Sequence, residues 1–127
     1  MIKSVEKKAV ETKILVDTIV DAIQDIKGKD IVILDLQKLP NSVTDYFIIC
    51  SGESSTQVEG ISNSVLKKTS KQLKEKPWHK EGLNNSEWIL LDYVNVVVHI
   101  FYKDVRSFYN LEGLWADAEI TEIPNLD

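Results

Sequence analysis

Few residues in this chain could perform covalent or metal chemistry, and their spacing restricts what that chemistry would be. There is one cysteine, Cys50, and there are two histidines, His79 and His99. A thiol and an imidazole could act as nucleophile and base. Cys50, however, lies inside the apolar run Phe47-Ile48-Ile49-Cys50, where a cysteine packs as a small hydrophobe. The same three residues match no zinc spacing, so no metal or cofactor is expected. Asp35, Asp45 and Asp92 lie in or beside apolar runs and could hold a metal for nucleotidyl transfer. Such sites need two acids on one strand face; no Asp-X-Asp pair occurs, and solvated strand ends are the expected role. Ser51-Gly52-Glu53-Ser54-Ser55 falls at a strand-to-helix junction, where helix amides could bind an anion. It lacks the lysine and repeated glycines of a phosphate loop, and Glu53 would repel phosphate, so helix capping is expected instead.

Residues suited to recognition are more abundant. Glu87 to Ala118 combines two apolar runs with Trp88, Tyr93, His99, Phe101, Arg106, Phe108, Tyr109 and Trp115. Aromatic and arginine side chains bury area and fix orientation at a partner surface. Phe108 and Trp115 are expected mainly in the core. Trp78, flanked by Pro77 and His79-Lys80-Glu81, suits either edge packing or an interface anchor. His99 suits a partner contact or a half-buried hydrogen-bonding role.

Composition sets the outer limits. A length of 127 residues favours one domain with its own core. Apolar content of 43% and charged content of 28% are those of an ordinary globular chain. The net charge of −5 argues against broad attraction to nucleic acid and for a basic protein surface as partner. Lys67-Lys68 and the lysines of Lys71 to Lys76 alternate in a helical pattern and read as a solvated helix face. A lone cysteine excludes an intramolecular disulfide and suits a reducing compartment. No apolar signal core and no membrane-length apolar stretch is present, so a cytoplasmic protein without membrane attachment is expected.

Periodicity then places the elements. From Ser4 to Lys27, Val5, Ala9, Val16, Ile19, Val20, Ile23 and Ile26 recur at threes and fours, predicting an amphipathic helix stopped by a left-handed Gly28. Ile31 to Leu36 and Thr44 to Ser51 are β-branched apolar runs that predict neighbouring strands. Ser54 and Gln57 form a capping box for a second helix reaching about Lys76, with Val58, Ile61, Val65, Thr69 and Leu73 as its buried stripe. Pro77 ends that helix, and Trp78 to Gly82 predicts a short edge strand or an extended segment. In the last strand Val96, Val98 and Ile100 share one face, with Val97, His99 and Phe101 on the other. That strand is expected to be half exposed, showing His99 and Phe101 to a partner. The pattern predicts an α/β single-domain sandwich, a mixed β-sheet with flanking helices. The domain would span 1–118 and a loosely held tail 119–127.

Several of these stretches together resemble a known family. Asp45-Tyr46-Phe47-Ile48-Ile49-Cys50-Ser51-Gly52, Trp78 with Glu81-Gly82, Trp88-Ile89-Leu90-Leu91-Asp92-Tyr93, Val96 to Phe101 and Arg106 to Ala118 look like the Iojap family of bacterial ribosomal silencing factors. The resemblance runs from the first helix to about Ala118. It implies a translational repressor that binds the large ribosomal subunit through its ribosomal protein fourteen. Occupying that place would block joining to the small subunit when nutrients are short. The implied mechanism is steric and needs no catalytic group.

The family fold is similar to that of nucleotidyltransferases, which makes a nucleotide-handling enzyme the alternative. Ser51-Gly52 stands in the region of their Gly-Ser motif, without the catalytic carboxylate pair. A homodimer of the free protein is a third reading, and no sequence-specific nucleic acid is expected as partner. The partner-binding residues expected on these grounds are Trp78, Lys80 and Glu81 at the edge, Asp92, Tyr93 and His99 on the strand pair, and Arg106 and Tyr109 after it. Arg106 could instead bridge to Glu112 or Asp117. Two positions depart from the family pattern. Val94-Asn95 replaces the usual Gly-Asp, so Asn95 is expected to take the positive φ of a shifted turn. Ala116 replaces a glycine after Trp115.

Overall fold

The structure is a computed structural model that describes the backbone of residues 2–126 and side chains from residue 6 to residue 126. Helix α1 (Ile2–Asp25) is followed by strands β1 (Lys29–Asp35) and β2 (Tyr46–Gly52), then helix α2 (Ser55–Leu73). Strands β3 (His79–Glu81), β4 (Trp88–Asp92) and β5 (Val96–Tyr102) come next, then the short helices α3 (Lys103–Tyr109) and α4 (Leu111–Leu114), and strand β6 (Glu119–Ile123).

The six strands form one mixed sheet in the order β3-β4-β5-β2-β1-β6. Only β2 and β5 run parallel; the other neighbours are antiparallel. This is the expected α/β arrangement, with β1 and β2 adjacent as their apolar runs predicted. The segment after Ala118 corrects one expectation. Its residues Glu119–Ile123 pair with Asp35–Ile31 along the β1 edge, and Asn125 and Asp30 exchange two hydrogen bonds beyond the strand. A strand of Glu-Ile-Thr-Glu-Ile carries too few apolar residues to be recognised locally; the buried neighbour β1 supplies the backbone partners that hold it.

Alternation along the central strands divides the core into two layers. Ile48, Cys50, Val96, Val98 and Ile100 face α1 and α2, meeting Val16, Ile19, Ile23, Val58, Ile61 and Val65. Val32, Leu34, Phe47, Ile49, Val97 and Phe101 point the other way, under Leu111, Trp115 and Ala118. The expected assignment of β5 residues to two faces is therefore correct. Both faces of β5 are covered, one by α1 and α2 and the other by Trp88, Leu111 and Trp115, and this corrects the expected exposure of His99 and Phe101.

Local signals set the helix ends. Ser54 accepts a hydrogen bond from the Gln57 amide at 3.1 Å, while the Glu53 amide donates to Gln57 Oε1 at 2.7 Å. The predicted capping pair is thus present, shifted by one backbone amide. Thr69 is fully buried and Leu73 half-buried, as the stripe predicted. In α1, Val16, Ile19, Val20 and Ile23 are buried, but Ala9 and, just past the helix, Ile26 are exposed, and Val5 lies outside the residues whose side chains are described. The left-handed residue after α1 is Lys27 (φ 58°), not Gly28. Gly28 is needed for space: a Cβ there would stand 2.3 Å from the Ile23 side chain.

Candidate functional site

The residues first considered for chemistry are kept apart by the sheet. Cys50 opposes Ile100, and Ile49 opposes His99, in adjacent parallel strands. Cys50 therefore faces the long helices while His99 faces the opposite layer. Complete burial pushes the Cys50 thiol up to about 12, so the thiolate needed of a nucleophile is disfavoured.

The three aspartates reach the same end of the sheet, where the carboxylates of Asp35 and Asp92 serve local turns and Asp45 is tied through its backbone. Asp35 accepts from the Gln37 amide at 3.0 Å, Asp92 accepts from the Val94 amide at 2.7 Å, and the Asp45 amide donates to the Asn95 carbonyl at 3.1 Å. Among the described residues no three His, Cys, Asp or Glu side chains come together as a metal-ligand set. At the junction after β2, Ser51 Oγ accepts from Arg106 at 2.9 Å, and a Cβ on Gly52 would meet Val58 at 2.9 Å. Gly52 thus allows β2 and α2 to approach closely.

The face opposite the long helices is an aromatic layer. Trp88 on β4 lies 4.8 Å from Phe101 and 4.8 Å from Tyr109, measured between ring centroids. Its indole N–H donates to His99 Nδ1 at 3.0 Å. Phe47 meets His99 edge-on at 4.7 Å and Trp115 at 5.6 Å. Edge and tilted contacts suit the ring quadrupoles. Trp115 is half-buried on this layer, in agreement with its expected core role, whereas Phe108 is 81% exposed. Phe108 misses the core because α3 presents its apolar side through Val105 and leaves Phe108 on the outer surface, edge-on to Tyr109 at 5.2 Å.

The expected partner residues fall into two groups. Trp78, Lys80, Glu81 and Tyr109 are exposed, Trp78 at 80%, and Asp92 is half-exposed. Trp78 is held at the backbone, its amide donating to the Asp92 carbonyl at 2.7 Å. His79 and Glu81 pair at 2.8 Å on one side of β3. Lys80, the residue between them, turns to the helix side, opposite the buried Leu91.

Tyr93, His99 and Arg106 form the second group and correct the expectation of a surface contact. Tyr93 is 7% exposed, packs among α2 and strand residues, and its hydroxyl meets Thr69 Oγ1 at 2.9 Å. Burial raises its pKa and keeps the phenol protonated. His99 is 4% exposed, and desolvation lowers its pKa to about 4. Because Nδ1 accepts the Trp88 proton, the ring is the neutral tautomer protonated on Nε2. The Arg106 side chain, 11% exposed, binds Glu112 at 3.0 Å, the Asp30 carbonyl and Ser51 Oγ. Of the two bridges foreseen for it, the one to Glu112 forms. Asp30 and Ser51 were not foreseen, since they lie 76 and 55 residues away in the chain.

The turn joining β4 to β5 also departs from expectation. Val94, not Asn95, carries the positive φ, at 76°, and the Asn95 amide donates back to the Tyr93 carbonyl at 3.0 Å. This is a γ-turn with a positive central φ, a rare conformation and a costly one for a β-branched residue. Its surroundings hold it. Asp92 accepts from the Val94 amide, Thr44 Oγ1 donates to the Val94 carbonyl, and the Asp45 and Tyr46 amides both donate to the Asn95 carbonyl.

Comparison with known proteins matches the family described as "Ribosomal silencing factor during starvation" over residues 8–127. A ribosomal silencing factor of Halalkalibacterium halodurans is 38% identical over 109 residues, covering 86% of this chain and 92% of that protein. One from Bacillus subtilis is 39% identical over 105 residues, covering 80% of this chain and 85% of that protein. Among solved structures, a crystal structure of a Chromobacterium violaceum protein superposes with a TM-score of 0.77 at 38% identity, covering 82% of this chain and 85% of that one.

Proposed function

This chain belongs to the ribosomal silencing factor family, and from that premise we propose that it represses translation by occupying the large ribosomal subunit. It docks through ribosomal protein fourteen and sterically blocks joining to the small subunit under nutrient limitation. The observation that carries this reading is the sheet edge at β3. There Trp78 stands out, tied by its backbone amide to β4 and tilted against the His79 ring, beside Lys80, Glu81 and the half-exposed Asp92. A large exposed aromatic rimmed by charges of both signs is suited to anchor a protein contact. Tyr109 extends the surface along the aromatic layer, over Trp88.

Tyr93, His99 and Arg106 support this surface from beneath. Tyr93 ties the end of β4 to α2, His99 fixes the Trp88 ring under Tyr109, and Arg106 pins α3 to β1 and β2. The acids at the edge would pair with basic groups of the ribosomal protein, which improves encounter and register more than raw affinity.

Purified large subunits, mixed with this protein and then with small subunits, test the proposal. Co-sedimentation with the large subunit and a fall in joined ribosomes are expected. Undiminished joining at saturating protein would overturn the proposal.

A further inference from the structure

The chain carries a net charge of −5, yet residues 67–80 contain six lysines, Lys67, Lys68, Lys71, Lys74, Lys76 and Lys80, against one acid, Glu75. That segment is therefore +5, and the remainder of the chain is −10. As sequence, the lysines look like the solvated face of a helix. The fold gathers them with a lysine from a different element. Lys67 and Lys71 lie one turn apart on α2, Lys74 follows at its left-handed C-cap, and Lys76 comes after the helix end. Strand β3 turns back beside α2 and brings Lys80 to the same place. Lys67, Lys76 and Lys80 line one groove of about 480 Å³ together with Asn63, Leu66, Ser70 and Pro77, with no acid in its wall. Lys67 also borders a second depression with Lys68, Lys71 and the acid Asp25.

Among the described residues only Lys68 of the six has an ion-pair partner, Asp25 at 2.8 Å. The other five are exposed. Two of them, Lys71 in the last turn of α2 and Lys74 at its C-cap, sit where the backbone carbonyls already favour cations. Their mutual repulsion is thus partly relieved in the free protein. A repeating row of phosphates would relieve it further and release condensed counterions. The groove walls add Asn63 and Ser70, which can donate to phosphate oxygens, and no array of fixed donors and acceptors suited to reading base edges.

We propose that this lysine groove is a second contact surface, one that binds the RNA phosphate backbone without reading its sequence. It adjoins the Trp78 edge through Pro77, so a protein contact at the edge and an RNA contact in the groove can be made together. The inference rests on the ribosome-binding reading for its biological setting, since a large subunit offers protein and RNA side by side. The overall acidity of the chain then has a use: it repels RNA everywhere except at the groove, and so orients docking.

The test compares the parent with the triple variant Lys67→Gln, Lys71→Gln, Lys76→Gln, all exposed positions, after matched urea melts show both folded. Binding of each to purified large subunits and, separately, to a short labelled RNA hairpin is measured across a salt series. With about three phosphate contacts removed, the parent should lose about 40-fold more subunit affinity than the variant between about 50 and 200 mM salt. Hairpin binding, present in the parent at low salt, should be abolished in the variant. Equal salt dependence of the two proteins on subunits would overturn the proposal, as would displacement of the hairpin by polyglutamate but not by unlabelled RNA. If neither protein binds subunits, the ribosome-binding reading falls, and the hairpin arm alone decides this one: equal hairpin affinity of parent and variant, or none in the parent, rejects the groove. A Trp78→Ala variant should weaken subunit binding without changing its salt slope.

Discussion

The indole N–H of Trp88 donates to Nδ1 of His99 across 3.0 Å, in a layer where His99 is 4% exposed. This one bond sets the tautomer of the imidazole and the tilt of the indole beneath Tyr109. Protonation at Nδ1 would break it. Burial already holds His99 neutral down to a pKa of about 4, against an ordinary 6.5.

Stability should therefore fall on acidification through a defined window. Above pH 6.5 both folded and unfolded chains carry neutral His99, and its contribution is complete. Between 6.5 and about 4 the unfolded chain binds the proton and the folded one does not, so stability drops by on the order of 3 kcal/mol across the window. Urea unfolding of the parent and of His99→Gln at pH 7.5 and pH 4.5 checks this. The variant should be weaker at the higher pH and should lose less between the two; parallel losses would contradict it.

Arg106 binds one carboxylate, one carbonyl and one hydroxyl from three separated stretches of chain. Arg106→Ala should cost about 2–4 kcal/mol, because Glu112, the Asp30 carbonyl and Ser51 Oγ lose a charged donor together. Arg106→Lys should restore less than half, since an ammonium lacks the planar fork that reaches all three. Midpoints of urea denaturation give both values.

Val94 holds a φ of 76° that glycine adopts without strain. Relief of that strain exceeds the added chain entropy of glycine, so Val94→Gly should raise stability by about 1 kcal/mol. Thermal melts should show an upward shift in midpoint. A downward shift would mean that the Val94 side chain makes contacts worth more than its strain.

Trp78 and Tyr93 should respond in opposite ways. Trp78→Ala removes an 80% exposed ring and should leave the melting midpoint within the change of about 0.5 kcal/mol typical of surface sites. On the proposed function it should weaken large-subunit binding by about 30-fold or more, as loss of an anchor residue does. Tyr93→Ala would open a cavity beside Thr69 and unfold a large fraction of the protein. Tyr93→Phe isolates the hydroxyl and should cost about 1 kcal/mol while binding persists.

Ending the chain at Ala118 would remove β6 and leave β1 with an open edge. The lost ladder opposite Ile31–Asp35 should lower stability by on the order of 3 kcal/mol and promote edge-to-edge association. Urea melts and light scattering at several concentrations would reveal both effects. Unchanged melts would show that β6 contributes nothing to the fold.

Local chemistry determined a large part of this molecule. The runs at Ile31 to Leu36, Phe47 to Cys50 and Val96 to Phe101 pointed to strands, because β-branched apolar residues suit a pleated and buried backbone. Ser54 and Gln57 marked the start of α2, and alternation along β5 separated Val98 from His99. The motifs from Asp45 to Ala118 pointed to the family in the same way, since each is legible within a few residues. Burial was legible only where it repeats with a period. Only the tertiary structure decided that β5 lies inside the sheet, that the aromatic layer places His99 beneath Trp88 rather than before a partner, and that Phe108 faces outward. The same holds for Arg106 reaching Asp30, for Glu119–Ile123 joining β1, and for Lys80 meeting Lys67. In each case the deciding group arrives from a distant part of the chain. Propensity acts over neighbours in sequence, whereas exposure and charge are properties of whatever the finished fold places alongside.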